Sequence, residues 1–272
     1  PDVPSGISNE SELTQVSSGS LTLGTTDAAD YLEIPDDTSL DFETGDWSIE
    51  GWIYPLWTAS GASNYAYVFN KGVDFQVAWM DTNGGTIAYF VEDGAGGYHI
   101  HNSNITGTGS VPVNKWSHLA FTRSGDIWRV FVNGRLKYQE TITGGITNNA
   151  TNFSIGTYLP NPTNYEFYGY ISNVRLVKGQ PVYTKEFIPS DRPLTTTSQG
   201  VLEANCSLLC CQNLHKAHYA AKSPNTIISH GNAAASWFNP FADLHETRGQ
   251  ETEYATWSPN NTMDTNATFS DG

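Results

Sequence analysis

Residues 116–142 leave this chain few folds to choose from. Trp116–Arg123 runs through Ser124-Gly125-Asp126 into Ile127–Val132, and Asn133-Gly134 then leads into Leu136–Ile142. Side chains alternate across a strand, so Leu119 and Phe121 share a face with Ser117, while Trp128, Val130 and Val132 share one face of the next strand. Asn-Gly between two such runs is a strong hairpin signal, because both central residues of the tight turn need positive φ. The segment reads as a three-stranded antiparallel meander.

The same pattern extends from about residue 20. Ser20–Leu23 and Asp30–Ile34 alternate, and Pro35-Asp36-Asp37 breaks the chain. Asp46–Tyr54 puts Trp47, Ile49, Gly51 and Ile53 on one face and Ser48, Glu50, Trp52 and Tyr54 on the other. A strand with one apolar face and one aromatic-rich face lies inside a sheet that uses both. Further strands are predicted at Tyr65–Asn70, Val73–Met80, Thr86–Val91, Gly97–His101, Asn152–Gly156, Glu166–Val177 and Thr226–His230. Turn chemistry at residues 81–85 and 92–97 separates several of them. Only 15% of residues are charged, 25 are glycine, and no stretch sustains a period of 3.6 with caps, so helix is minor. The fold class is an all-β sandwich over residues 20–241. Residues 1–19 are polar and without period and read as an N-terminal arm or leading loop, and residues 242–272 read as a polar C-terminal arm that orders against a partner.

Net charge is −15, from 28 Asp+Glu against 13 Lys+Arg with no basic cluster. That excludes nucleic acid and anionic membrane surfaces as partners, since both need grouped cations. No apolar run approaches the ~20 residues that span a bilayer, and the start at Pro1 carries no signal-peptide pattern. Pro1 reads as a natural start after Met removal or as a maturation boundary. Acidic, Lys-poor chains suit saline, extracellular surroundings, where salt screens self-repulsion. The sequons at Asn104, Asn149 and Asn152 are what an Asn-, Ser- and Thr-rich chain produces by chance.

Three segments in order resemble the concanavalin A-like jelly rolls, and within them the laminin-G-like lectin domains. They are Asp30–Pro35 with Thr44–Pro55, Trp116–Arg123 with Arg129–Gly134, and Gly169–Gly179. Val182–Pro189, Leu208–Gln212 and the closing Trp237–Phe241 are similar to the continuation found in laminin-G-like domains of marine and cyanobacterial bacteriophage virion proteins. The resemblance implies an all-β, two-sheet antiparallel jelly-roll sandwich whose last strands pair near its first. It also implies a structural protein of the virion, on the extracellular surface of the phage particle as a decoration, neck or tail component.

The same fold carries glucanases, whose branch would show Glu-x-Asp-x-(x)-Glu on one strand. No such spacing occurs; Asp41-Phe42-Glu43 and Glu92-Asp93 come nearest and read as solvated turns, so the chain is expected not to be an enzyme. Sugar binding needs aromatic faces for the apolar side of a pyranose and amides or carboxylates for its hydroxyls. Candidate ligand-binding residues are Trp57, Tyr65, Tyr67, Tyr98, His99, His101 and Tyr165, with Tyr158 and Tyr168 near the last. His99 and His101 alternate onto one strand face. Loop residues Asp81, Asn83, Asp93 and Asp126 are the candidate metal ligands, with Ca²⁺ as the cation such oxygens take and no cofactor required.

Cys206, Cys210 and Cys211 lie within six residues, with His215 and His218 following. These are zinc-ligand types at a spacing no structural zinc pattern uses, and Cys210 and Cys211 would point to opposite strand faces. They read as buried free thiols, with metal binding as the alternative. The expected role is assembly plus weak multivalent attachment to host-surface glycans. Other virion proteins would be partners through the arms, and a homo-oligomer such as a trimer is expected. A receptor-binding tail or fibre adhesin and a polysaccharide-degrading enzyme are the alternatives.

Overall fold

Alternating apolar side chains become two antiparallel sheets in the computed structural model. The structure describes residues 18–24, 29–56, 65–81, 84–93, 97–101, 106–107 and 109–241, with the side chains of Tyr98, Ile100 and His101 outside the description. Internal contacts divide the chain into Pro1–Phe241 and Ala242–Gly272, and every described residue belongs to the first unit. The expected arms thus lie outside the described residues, except for Ser18 and Gly19. Ser18 is buried, and the Gly19 N–H donates to the Gln212 carbonyl at 2.6 Å.

The first strands are β1 (Ser20–Leu23), β2 (Tyr31–Ile34), β3 (Trp47–Pro55), β4 (Tyr65–Lys71), β5 (Phe75–Met80) and β6 (Thr86–Glu92). Next come β7 (Tyr98–His101), β8 (Ser117–Ser124), β9 (Ile127–Val132), β10 (Arg135–Thr141) and β11 (Phe153–Ile155). Then follow β12 (Gly169–Lys178), β13 (Cys206–Cys210), β14 (Ala220–Lys222), β15 (Ile228–His230) and β16 (Ala234–Ser236). Helix among the described residues is limited to single 3₁₀ turns.

A nine-stranded sheet runs β10-β9-β8-β3-β12-β1-β16, with β13 and β14 branching from β12. A seven-stranded sheet runs β15-β2-β11-β4-β5-β6-β7. β12 has two partners on one side because its register shifts between Ser172 and Arg175, where Asn173 takes φ +54°. β1 pairs with the strand before this shift and β13 with the strand after it. The last strands do return to the first, β16 on β1 and β15 on β2.

Between the sheets Trp47 lies edge-on to Trp128 at 4.9 Å and to Phe75 at 5.4 Å. Cys210 and Cys211 both enter this core with their sulfurs 3.7 Å apart. The expectation of opposite faces fails because β13 ends at Cys210 and the chain reverses through Cys211 at φ +60°. Asp41-Phe42 is not a solvated turn either. Phe42 packs on Trp47 and Phe75, and buried Asp41 lies 3.1 Å from the Lys71 ammonium.

The outward face of the nine-stranded sheet is covered by the chain that follows β12. Trp52, Val177, Leu194, Val201, Cys206, Leu209 and Phe241 form one buried cluster there, and Ala120, Phe131 and Tyr183 form another. Tyr183 stacks on Phe187 at 3.6 Å. Beneath them Glu50 Oε1 accepts from Arg175 Nε at 3.0 Å and Nη2 at 2.5 Å, and Glu50 Oε2 accepts from Tyr183 Oη at 2.7 Å. His118 Nε2 is 3.1 Å from the same Oε2. Arg175 Nη1 reaches the Thr195 and Ser198 carbonyls, which fastens the covering strap to the sheet.

The Asn133-Gly134 turn anchors this strap as well as joining β9 to β10. Both residues have positive φ, +49° and +74°, and the Phe187 N–H donates to the Gly134 carbonyl at 3.0 Å. A Cβ on Gly134 would come within 1.9 Å of the Phe187 carbonyl oxygen. Gly134→Val is therefore expected to destabilise the domain by about 2–3 kcal/mol, combining backbone strain with displacement of the strap. Urea unfolding with limited proteolysis of residues 180–200 would check it, and wild-type stability with an uncut strap would refute it.

Candidate functional site

Residues that are not in the core decide what the other face of the seven-stranded sheet presents. On β5 the core takes Phe75, Val77 and Trp79, and on β6 it takes Ile87, Tyr89 and Val91. Gln76, Ala78, Met80, Thr86, Ala88 and Phe90 therefore point away from this core, and of these six Phe90 alone is more than marginally exposed. On β4 the inward residues are Ala66, Val68 and Phe69, because the register slips between Tyr67 and Phe69. That bulge leaves Tyr65 and Tyr67 outward, beside Phe90.

The loop between β11 and β12 adds two more rings. It is pinned by Phe167, which is in the core, and by the Tyr67 N–H donating to the Tyr165 carbonyl at 3.1 Å. Tyr67 thus lies 5.1 Å from Tyr158 and 5.6 Å from Tyr165, centroid to centroid. On its other side Tyr67 stacks on Phe90 at 6.4 Å, and Tyr65 meets Phe90 edge-on at 5.5 Å. Tyr67 is nearly buried, whereas Tyr65, Phe90, Tyr158 and Tyr165 keep part of their surface in solvent. The five rings form a continuous aromatic shelf with the Gln76 amide paired opposite Phe90 in the sheet register. Burial pushes the phenol of Tyr67 well up, aided by Tyr158 and Tyr165, and raises those of Tyr65 and Tyr158. Those three phenols are thus held protonated, and the shelf offers hydroxyls beside apolar faces.

Three of the expected ligand-binding residues, Tyr65, Tyr67 and Tyr165, are thus brought together, with Tyr158. Phe90 was missed, although the inward Ile87, Tyr89 and Val91 imply that it faces out. Trp57 lies outside the described residues, and Tyr98 and His101 are placed only by backbone, opposite Glu92 and Tyr89. His99 does not join the shelf. It pairs with Val91, and its Nε2 lies 3.0 Å from Asp93, while its Nδ1 is 3.9 Å from Glu140 on the other sheet. Burial raises the Glu140 carboxyl from 4.5 to about 7.

The folded state therefore binds an extra proton between about pH 4.5 and 7, and stability falls as pH rises through that window. Glu140→Gln is expected to match wild type below about pH 4.5 and to exceed it by about 1–2 kcal/mol above pH 7, allowing for solvent at this rim. Urea unfolding across pH measures this; a constant difference at all pH values would contradict it.

The candidate metal ligands do not converge. Asp81 follows β5, Asn83 lies outside the described residues, Asp93 is bound to His99, and Asp126 pairs with Arg123 in the β8–β9 turn of the other sheet. Among the described residues no group of three or more His, Cys, Asp or Glu is placed to hold a metal. Where carboxylates do gather, a side-chain ammonium stands between them: Lys71 Nζ is 2.6 Å from Asp36 and 3.1 Å from Asp41, and donates to the Thr151 carbonyl at 2.9 Å. Cys206, Cys210 and Cys211 are buried free thiols, His215 is exposed against Trp237, and His218 is exposed.

A second aromatic group lies at one end of the nine-stranded sheet, where Phe238 contacts Tyr54 at 4.8 Å, Trp116 at 5.3 Å and Tyr170 at 4.9 Å. Here the strap's own Phe238 fills the space between the rings.

Comparison with solved structures gives a candidate carbohydrate-binding protein from Bacteroides ovatus at TM-score 0.54 and 14% identity, covering 80% of this chain. This chain spans 59% of that protein's length. A heptameric SAP-like pentraxin from Limulus polyphemus aligns at TM-score 0.46 and 12% identity, over 81% of this chain and 95% of its own. Domain 4 of AbnA, a GH43 extracellular arabinanase from Geobacillus stearothermophilus solved with arabinotriose, aligns at TM-score 0.40 and 19% identity, over 59% of this chain and 82% of its own. A search of curated proteins gave no match. Residues 25–180, more than half of the chain, match a family profile, and with the two-sheet topology this places the protein in the concanavalin A-like lectin/glucanases superfamily, in its Laminin_G_3 family.

Proposed function

We propose that this protein is a non-enzymatic carbohydrate-binding sandwich whose site is the shelf of Tyr65, Tyr67, Phe90, Tyr158 and Tyr165. The observation that carries the reading is the contact of five rings, four of them partly exposed, on the outward face of the seven-stranded sheet. Rings of this kind stack on the apolar faces of sugars, while the phenols meet hydroxyls. The likeness in fold to the Bacteroides protein supports the same reading.

Binding is proposed to need no metal, because Lys71 already neutralises the buried Asp41 and the half-buried Asp36 beside it. The absence of catalysis is supported by the commitment of the buried carboxylates Glu50 and Asp41 to Arg175 and Lys71. The virion setting, with other virion proteins and further copies of the chain as partners, rests on the resemblance of segments 182–189, 208–212 and 237–241. Those segments supply Tyr183, Phe187, Leu209 and Phe241 to the cover of the nine-stranded sheet. On such a particle, repetition would raise avidity about 10²–10⁴-fold over one site.

A multivalent glycan-array screen, with Ca²⁺ and with chelator, tests the reading. Binding to a defined glycan in both conditions, without release of shorter products, is expected. No binding in either condition would refute the site, and loss with chelator alone would refute metal independence.

A further inference from the structure

Cations are distributed unevenly over the molecule. From residue 57 to residue 114 the chain carries one Lys or Arg, Lys71, and two histidines, His99 and His101, against Asp74, Asp81, Glu92 and Asp93. The stretch 141–174, which supplies the loop with Tyr158 and Tyr165, carries no Lys or Arg and one acid, Glu166. All five shelf rings come from these two stretches. Lys71 is also the one Lys or Arg on any strand of the seven-stranded sheet, and it is buried between Asp36 and Asp41 with no reach to a ligand. The basic residues Arg123, Arg129, Arg135, Lys137, Arg175 and Lys178 belong to strands of the nine-stranded sheet.

Acids border the shelf itself. Asp81 directly follows Met80, which pairs with Tyr65, and Glu92 lies two residues beyond Phe90, on the same side of β6. Resting on the reading above, we propose that the shelf selects uncharged pyranose chains and rejects uronic, sialic or sulfated ones. An anionic sugar on these rings meets Asp81 and Glu92, and the described strands of this sheet offer it no Lys or Arg but the buried Lys71, whereas a neutral sugar loses nothing by their presence. The rejection is electrostatic and acts through solvent, so salt must weaken it.

The test is competition against a bound, labelled neutral oligosaccharide taken from the array, which reads occupancy of the shelf alone. The competitors are the unlabelled neutral oligosaccharide and its counterpart carrying one uronate or sulfate, in about 0.01 M and about 1 M NaCl, where the Debye length is about 30 Å and 3 Å. At low salt the neutral competitor is expected to be roughly fivefold to tenfold stronger, and the ratio to shrink towards one at high salt. Asp81→Asn with Glu92→Gln should shrink the low-salt ratio as well. A stronger anionic competitor at low salt, or a ratio that salt leaves unchanged, overturns the selectivity and leaves the glycan site standing. An array positive only for anionic glycans overturns the selectivity alone, and an array with no positive glycan overturns the site and this inference together.

Discussion

Glu50→Ala is expected to lower the stability of the domain by about 3–5 kcal/mol, the range seen when one partner of a buried ion pair is removed. The Glu50 and Arg175 side chains are 1% and 0% exposed, so the guanidinium left behind has no water to take the place of the carboxylate. The loss spreads, because the same carboxylate accepts from Tyr183, which belongs to the strap, and contacts His118. Burial alone would push the Glu50 carboxyl up, but the His118 hydrogen bond and the Arg175 charge outweigh it and hold the group below its ordinary value. That lowered value contributes stability above about pH 4.5, which is lost as pH falls through the folded-state value. Arg175→Met combined with Glu50→Leu should cost less than either single change, since no charge is then stranded. Urea unfolding of the three variants gives the comparison. A loss below about 1 kcal/mol in Glu50→Ala would mean that the pair contributes little and that the apolar contacts of the strap suffice.

Tyr158→Ala with Tyr165→Ala is expected to weaken glycan binding roughly 30-fold or more, equivalent to about 2 kcal/mol, as removal of central aromatic anchors does. Both rings sit on the β11–β12 loop rather than in the sheet, and Phe167 still pins that loop in the core, so the fold should survive. Tyr67 is a poorer choice for this test, because it is nearly buried and touches four of the other shelf side chains and loop rings. The readout is the dissociation constant for an array-positive oligosaccharide, with thermal unfolding as the control. Unchanged affinity in a folded double variant would remove the loop rings from the site.

Much of this architecture is legible in sequence because strand alternation and turn chemistry act locally. The β8-β9-β10 meander follows from its apolar alternation and from Asn133-Gly134, whose two positive φ angles are what that dipeptide permits. The two-faced burial of β3 follows from Trp52 and Tyr54 opposite Trp47 and Ile49. Where the reading fails, a non-local event decides the outcome. Plain alternation would put Phe69 beside Tyr65 and Tyr67, but a bulge at Val68 turns Phe69 inward and completes the core. Asp41 reads as a solvated turn because nothing nearby announces that Lys71, thirty residues on, will meet it in the interior. His99 looks like a shelf residue by spacing, yet its register opposite Val91 aims it at the seam between the sheets. Residues 179–205 of the strap have no strand period, and their order comes from scattered apolar contacts and from hydrogen bonds to Arg175 and Gly134. For the site, the clustering of aromatics was legible, but which rings converge depended on the loop that carries Tyr158 and Tyr165.

The location of the sugar is tested most directly by NMR shift mapping of the complex with an array-positive neutral oligosaccharide. Perturbations concentrated at Tyr65, Tyr67, Gln76, Phe90, Tyr158 and Tyr165 are the expected result. Perturbations confined to the other aromatic group, at Tyr54, Trp116, Tyr170 and Phe238, would contradict it and move the site to the opposite sheet.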